Sequence, residues 1–118
     1  MHDFRRLEVW RESIELARDL YVLTASFPDG ERYGLVAQIR SAAVSVSSNI
    51  AEGAGRGGSK EMARFLRIAL GSISELDSQV ELAVSLGYPA PPAGLQERMR
   101  SLRVRVLRLH DRVAGARP

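Results

Sequence analysis

Three groups of residues in this chain of 118 have types and spacings that suit chemistry. The first is the string Gly53-Ala54-Gly55-Arg56-Gly57-Gly58, a literal G-x-G-x-x-G, with Lys60 just beyond it. Glycines let backbone amides approach a phosphate closely, and Arg56 and Lys60 would add charge there. The second is a run of arginines at 98, 100, 103, 105, 108 and 112. Guanidinium forks match phosphate oxygens, and Arg98, Arg105 and Arg112 recur every seven residues, about 10 Å apart if the segment is helical. The third is a set of charged residues, Glu52, Glu75, Arg40 and Arg64, in the middle of the chain.

The elements that must position these residues are helices. Leu7, Trp10, Ile14, Ala17, Tyr21 and Thr24 step by threes and fours, as do Leu35, Ile39, Ala42, Val46, Ile50 and Gly53. Met62, Leu66, Ala69, Ile73, Leu76, Val80 and Ala83 form a third stripe, and Leu95, Met99, Leu102, Val106, Leu109 and Val113 a fourth. Such steps are the seams of helices packed at shallow angles. The spacing predicts helices over about 5–26, 31–54, 59–86 and 93–114. Phe27-Pro28-Asp29-Gly30 ends the first, Ser59 caps the third, Gly87 closes it, and Pro89, Pro91 and Pro92 forbid continuation. Short connections make neighbours antiparallel, so the expected fold is all-α, an up-down-up-down four-helix bundle forming one domain over 1–118, a rod roughly 30–38 Å long. The alternation Ala43-Val44-Ser45-Val46-Ser47-Ser48 suits a strand, but the flanking periodicity and the lack of a pairing partner favour helix. Gly71 would cost about 1 kcal/mol inside a helix, which a close helix crossing there would explain.

The helical frame decides among the chemical readings. A dinucleotide fingerprint needs a strand before it, and here a helix leads in, so the glycine string reads as a helix-to-helix turn with at most a phosphate contact at Arg56 and Lys60. Carboxylate metal sites in bundles use Glu-x-x-His repeats, and the chain has none and only two histidines, His2 and His110. Glu52, Glu75, Arg40 and Arg64 therefore read as inter-helix ion pairs, with no cofactor or metal. The arginine-rich segment fits a nucleic-acid backbone, with Arg98, Arg103, Arg105, Arg108 and Arg112 as contacts. The competing reading is a solvated face whose arginines pair with the acidic second and third helices. Arg105 and His110 share the Arg-x4-His spacing of HEPN ribonucleases, but five residues place them about 140° apart on a helix.

Charge is uneven: residues 1–91 carry ten basic and twelve acidic side chains, and residues 92–118 seven arginines against Glu97 and Asp111. There is no cysteine, the N-terminus is charged where a secretory leader is apolar, and no apolar run reaches membrane-spanning length, so a cytoplasmic protein away from membranes is expected. Leu16, Leu20 and Leu23 lie off the first stripe, Ile68 and Leu82 off the third, and Val104 and Leu107 off the fourth. That surplus predicts a second buried surface and a homo-oligomer.

A family resemblance runs from Phe4-Arg5-Arg6-Leu7-Glu8-Val9-Trp10 through Phe27-Pro28 and Glu31-Arg32-Tyr33-Gly34-Leu35. It peaks in Gln38-Ile39-Arg40-Ser41-Ala42-Ala43-Val44-Ser45 and Ser48-Asn49-Ile50-Ala51-Glu52-Gly53. It resumes in Arg64-Phe65-Leu66, Ala69-Leu70-Gly71-Ser72 and Glu75-Leu76, and fades at Leu86-Gly87-Tyr88. On these residues the chain resembles the small bacterial four-helix bundle proteins named for the 23S rRNA intervening sequences that encode some of them, also called S23 ribosomal protein-like. It is also similar to the accessory protein of diversity-generating retroelements. The resemblance implies a bundle that assembles into a ring, a pentamer, with RNA or DNA and a reverse transcriptase or other protein as partners, and no catalytic residues. Its matched polar residues, Arg40, Asn49, Glu52, Arg64, Ser72 and Glu75, would fix packing and subunit contacts. Ser47 and Ala54 depart from the family's usual residues, and the last helix matches least.

Overall fold

The computed structural model describes residues 3–115, so His2 lies outside the described residues. Four helices form, α1 (Glu8–Thr24), α2 (Leu35–Gly55), α3 (Ser59–Ser85) and α4 (Leu95–Ala114), with no strand among the described residues. Single 3-10 turns, Phe4–Arg6 and Asp29–Glu31, replace the expected first residues of α1 and α2. Contacts between side chains show the topology. Asp19 meets Arg98 and Glu12 meets Arg105, so α1 and α4 run antiparallel. Ser74 meets Arg103 and Glu81 meets Gln96, which orients α3 against α4. Ser45 and Ser72 bond at 2.8 Å between α2 and α3. The result is the up-down-up-down bundle, 49 × 23 × 20 Å, longer than the expected rod.

Three of the four stripes line the interior as read. Ile39, Ile50, Leu66, Ala69, Leu76, Leu95, Met99 and Val106 are all fully buried. The alternating Ala43–Ser48 segment is helical, inside α2. The stripe on α1 is corrected. The helix is rotated so that Val9, Ser13, Leu16, Leu20 and Leu23 face the core, while Tyr21 is exposed and Ile14 and Ala17 are only half-buried. Leucine buries more apolar area than the Ala17 of the rejected stripe, and Leu20 reaches 0% exposure. Leu16, Leu20 and Leu23 therefore give no surplus surface, whereas Ile68, Leu82, Val104 and Leu107 do remain exposed. The buried hydroxyls of Ser13, Thr24 and Ser47 donate to the carbonyls of Trp10, Leu20 and Val44, so each of these hydroxyls has a partner.

Two further expectations change. Ser59 is the first helical residue of α3 and makes no side-chain cap; Gly58 holds the cap position. The close helix approach sits at Gly53, not Gly71. A Cβ on Gly53 would stand 3.0 Å from the Phe65 Cβ and 3.3 Å from the Met62 carbonyl, while one on Gly71 would meet nothing within 4 Å. The glycine string is thus the last turn of α2, pressed onto the start of α3, and the link between them.

One end of the bundle is tied by polar contacts. α3 ends as expected at Gly87 (φ 78°), whose amide donates to the Val84 carbonyl while that of Tyr88 donates to Ala83. Tyr88 then packs on Phe27, ring centroids 5.3 Å apart, and its hydroxyl donates to Glu31 Oε2 at 2.6 Å. Glu31 Oε1 accepts the Leu35 amide at 3.1 Å, capping α2. The donated bonds from Tyr88 and Leu35 hold the Glu31 carboxyl below its usual range, and the bond to Glu31 pushes the Tyr88 phenol up. Because the Glu31 pKa is depressed on folding, its contribution is present above the ordinary carboxylate range and is lost as pH falls through the folded value. Tyr88 contributes below its ordinary value and loses that contribution as pH rises through the folded one.

Leu20→Ala should cost about 2–5 kcal/mol in urea unfolding. Gly53→Ala should cost about 1–3 kcal/mol because Phe65 and α3 must shift, whereas Gly71→Ala should stabilise by up to about 1 kcal/mol. Tyr88→Phe should lower the melting temperature at neutral pH and flatten its fall between about pH 5 and 3, read by thermal denaturation across that range.

Candidate nucleic-acid interface

The arginines of α4 point in three directions because the helix has only one buried stripe. With Leu95, Met99, Leu102 and Val106 inward, Arg98 and Arg105 turn toward α1. Arg98 reaches the Asp19 carboxylate at 2.7 Å, and Arg105 grips both oxygens of Glu12. The bond from Arg105 to Glu12 raises the guanidinium's affinity for its proton. On the other side Arg103 donates to Ser74 Oγ at 3.1 Å, and Arg100 lies 3.9 Å from Glu81 on α3. The pairing expected with acidic residues of α2 and α3 is therefore made chiefly with α1, whose Glu8, Glu12, Glu15 and Asp19 recur at helical spacing along one face. Sequence reasoning missed that row because it placed the wrong face of α1 inward.

Arg108 and Arg112 differ from their neighbours. Neither has a carboxylate within 4.0 Å among the described residues. The antiparallel register explains why: stepping seven residues from Arg98 to Arg105 to Arg112 steps back along α1 from Asp19 to Glu12 to Arg5. The acids end before the arginines do.

The fold gathers other cations at the same end. The start of α1, the end of α2, the start of α3 and the end of α4 lie together, as the contact between Arg67 and His110 (3.3 Å) requires. Residues 3–11, 52–67 and 108–112 there carry nine basic and five acidic side chains. At the opposite end, residues 18–40 and 75–100 carry five basic and seven acidic. Arg56 and Lys60, separated from Arg108 and Arg112 by half the chain, share the basic end with them; Arg98 lies toward the acidic end. Arg56 bonds Glu52 at 3.2 Å and stacks over Phe65, centroid distance 5.1 Å, while Lys60 is exposed.

The ion pairs expected between helices from Arg40, Glu52, Arg64 and Glu75 do not form. Glu52 pairs with Arg56, the residue just past the end of α2, Arg64 pairs with Glu61 within α3, and Glu75 accepts from Gln79 at 3.3 Å. Their positions on the outer faces of α2 and α3 leave solvent-facing neighbours nearer than one another. Arg40 instead crosses to α1, donating to Thr24 Oγ1 at 2.9 Å and to the Tyr21 carbonyl at 3.1 Å, with its guanidinium over the Tyr21 ring. It satisfies a carbonyl at the C-terminal end of α1, where a cation is favoured. Asn49 donates to the carbonyl and hydroxyl of Ser45, and Ser72 bonds Ser45.

His110 turns toward α3, between Arg67 and Asp111, and Arg105 toward α1, so α4 directs the two side chains of the Arg-x4-His spacing to different neighbours. Among the described residues no group of three or more His, Asp or Glu stands close enough to hold a metal ion, and no helix is long and apolar enough to cross a membrane.

The two partners of the Arg105–Glu12 pair are about a third exposed, so water screens them. A double-mutant cycle with Arg105→Gln and Glu12→Gln should give a coupling of about 0.5–1 kcal/mol that shrinks in about 0.5 M salt. A coupling near zero would mean that this pair adds nothing to the α1–α4 seam.

A comparison with curated proteins finds no match. The sequence profile of the 23S rRNA-intervening sequence protein family, by contrast, matches residues 5–104. That span takes in α1, α2, α3 and the first half of α4, and stops one residue short of Arg105. The chain belongs to the family of 23S rRNA-intervening sequence proteins.

Proposed function

We propose that this protein is a non-enzymatic, homo-oligomeric accessory protein that binds structured RNA or DNA through the basic end of its bundle. The observation that carries this reading is the excess of nine basic over five acidic side chains at that end, with Arg108 and Arg112 lacking carboxylate partners among the described residues. A surface of that kind attracts a phosphate backbone by releasing its counterions. The family's name, which ties it to 23S rRNA, supports RNA as the first ligand to test. Arg108, Arg112, Arg56 and Lys60 are the proposed contacts; Arg103 lies on the α3 side of α4, where it donates to Ser74, and Arg98 and Arg105 are engaged with α1. Self-association is supported by Ile68, Leu82, Val104 and Leu107, each 38–51% exposed. By family resemblance the assembly is a pentameric ring in the cytoplasm, with a reverse transcriptase or another protein as its partner.

The same exposed apolar residues favour a second reading, a scaffold for a protein partner. Copurification with and without nuclease separates the two, since a protein partner survives nuclease only if it is held directly. For the first reading, anisotropy with a fluorescent RNA hairpin should show binding at about 50 mM salt that weakens steeply by about 200 mM. No binding at low salt would overturn it. Light scattering coupled to gel filtration should return a mass several times 13.0 kDa.

A further inference from the structure

Between the start of α1 and the end of α4 lies a cleft of about 300 Å3. Arg6, Arg105, Arg108 and Arg112 line it, over a floor of Leu7, Val9 and Leu109, with Glu8 as the one acid in its wall. The geometry points to this cleft as a phosphate-binding site, in which Arg6, Arg108 and Arg112 are the contacts. The inference rests on the nucleic-acid reading for its natural ligand, a backbone phosphate, but the site itself is defined by phosphate chemistry.

The local structure delivers each guanidinium. Asp3 accepts the Arg5 amide at 3.0 Å and folds the 3-10 turn, which seats Phe4 against Trp10 with ring centroids 4.8 Å apart. That turn brings Arg6, a residue outside every amphipathic stripe, to the mouth of the cleft. Arg108 and Arg112 are four residues apart and so share a face of α4. Like charges at that spacing repel, and the α1 acids that neutralise Arg98 and Arg105 end before reaching them. Arg105 is bound to Glu12 and serves as the fixed back wall. Glu8 offsets one charge of the remaining three, so the cleft keeps an excess of positive charge over an apolar floor. Val9 is buried and Leu7 and Leu109 are partly buried against the core, so the floor offers apolar surface on which the arginine stems can lie. Planar forks on such a floor suit the tetrahedral oxygens of a phosphate, several of which can be met at once.

The site is tested with two probes, a fluorescent RNA hairpin and inorganic pyrophosphate, on the full chain. Wild-type protein is compared with Arg6→Gln/Arg108→Gln/Arg112→Gln, and with Arg56→Gln/Lys60→Gln, which removes the other proposed contacts at the same end; circular dichroism checks that each is folded. The expected result is a roughly tenfold or greater fall in hairpin affinity in the triple variant at about 100 mM salt. The slope of log affinity against log salt should fall by about two to three, roughly one for each phosphate that an arginine no longer neutralises. Pyrophosphate should shift the amide resonances of Val9 and Leu109 in the wild type and not in the triple variant. Hairpin binding that survives in the triple variant and disappears in the Arg56→Gln/Lys60→Gln variant overturns the cleft and leaves the nucleic-acid reading standing. Pyrophosphate shifts without any hairpin binding overturn that reading and keep the cleft, with a small phosphorylated molecule as its ligand. Neither response overturns both.

Discussion

Burial of Leu16, Leu20 and Leu23 against the other helices sets the rotation of α1 about its own axis, and the electrostatics of the bundle follow from that rotation. With those leucines inward, Glu8, Glu12, Glu15 and Asp19 are carried to the side that faces α4. Rotating α1 to bury Ile14 and Tyr21 instead would swing the acids away and leave Arg98 and Arg105 as bare as Arg108. Burying a leucine row contributes several kcal/mol, whereas each half-exposed ion pair contributes under about 1 kcal/mol. Packing therefore chooses the rotation, and the ion pairs accept it. They tune the α1–α4 seam, the least extensive of the four between neighbouring helices, without creating it.

The same geometry concentrates charge. A heptad stripe of arginines on α4 meets an acidic row on α1 that is shorter by one step, and antiparallel packing puts the shortfall at the end where α2 also stops and α3 starts. Four helix ends then contribute cations to one surface while the opposite end turns acidic. No single helix carries this polarity; it is a property of how the four are laid side by side. The Gly53 contact presses α2 onto α3 at that end, and the Glu31–Tyr88 bond ties the connections at the far end together. Loops take little part, and the residues of interest sit on helices or on a single short turn.

The family match covers α1, α2, α3 and the first half of α4, so the basic tip of α4 lies outside the matched span. The polar residues in the shared region act locally. Arg40 caps α1, Asn49 and Ser72 meet through Ser45, and Glu52 pairs with Arg56 and Arg64 with Glu61.

Periodicity alone determined the number of helices, their order, the inward faces of α2, α3 and α4, and the turn character of the glycine string. Those features are local: spacing by threes and fours, proline and glycine at the breaks, and a helix where a nucleotide fold needs a strand. The inward face of α1 was ambiguous because Trp10, Ile14 and Tyr21 compose as regular a stripe as Val9, Leu16 and Leu20, and only the shape of the space left by the other helices selects between them. From that selection came the partners of Arg98 and Arg105, which lie some eighty and ninety residues away in the chain. Gly53 and Gly71 look alike in sequence, yet only one meets a neighbouring helix. Arg6 carries no periodic mark at all, and nothing but the antiparallel packing of α1 on α4 brings it to Arg108 and Arg112. Spacing along a chain records which residues share a helix face; which faces meet, and which charges are left over when they do, is decided by packing in three dimensions.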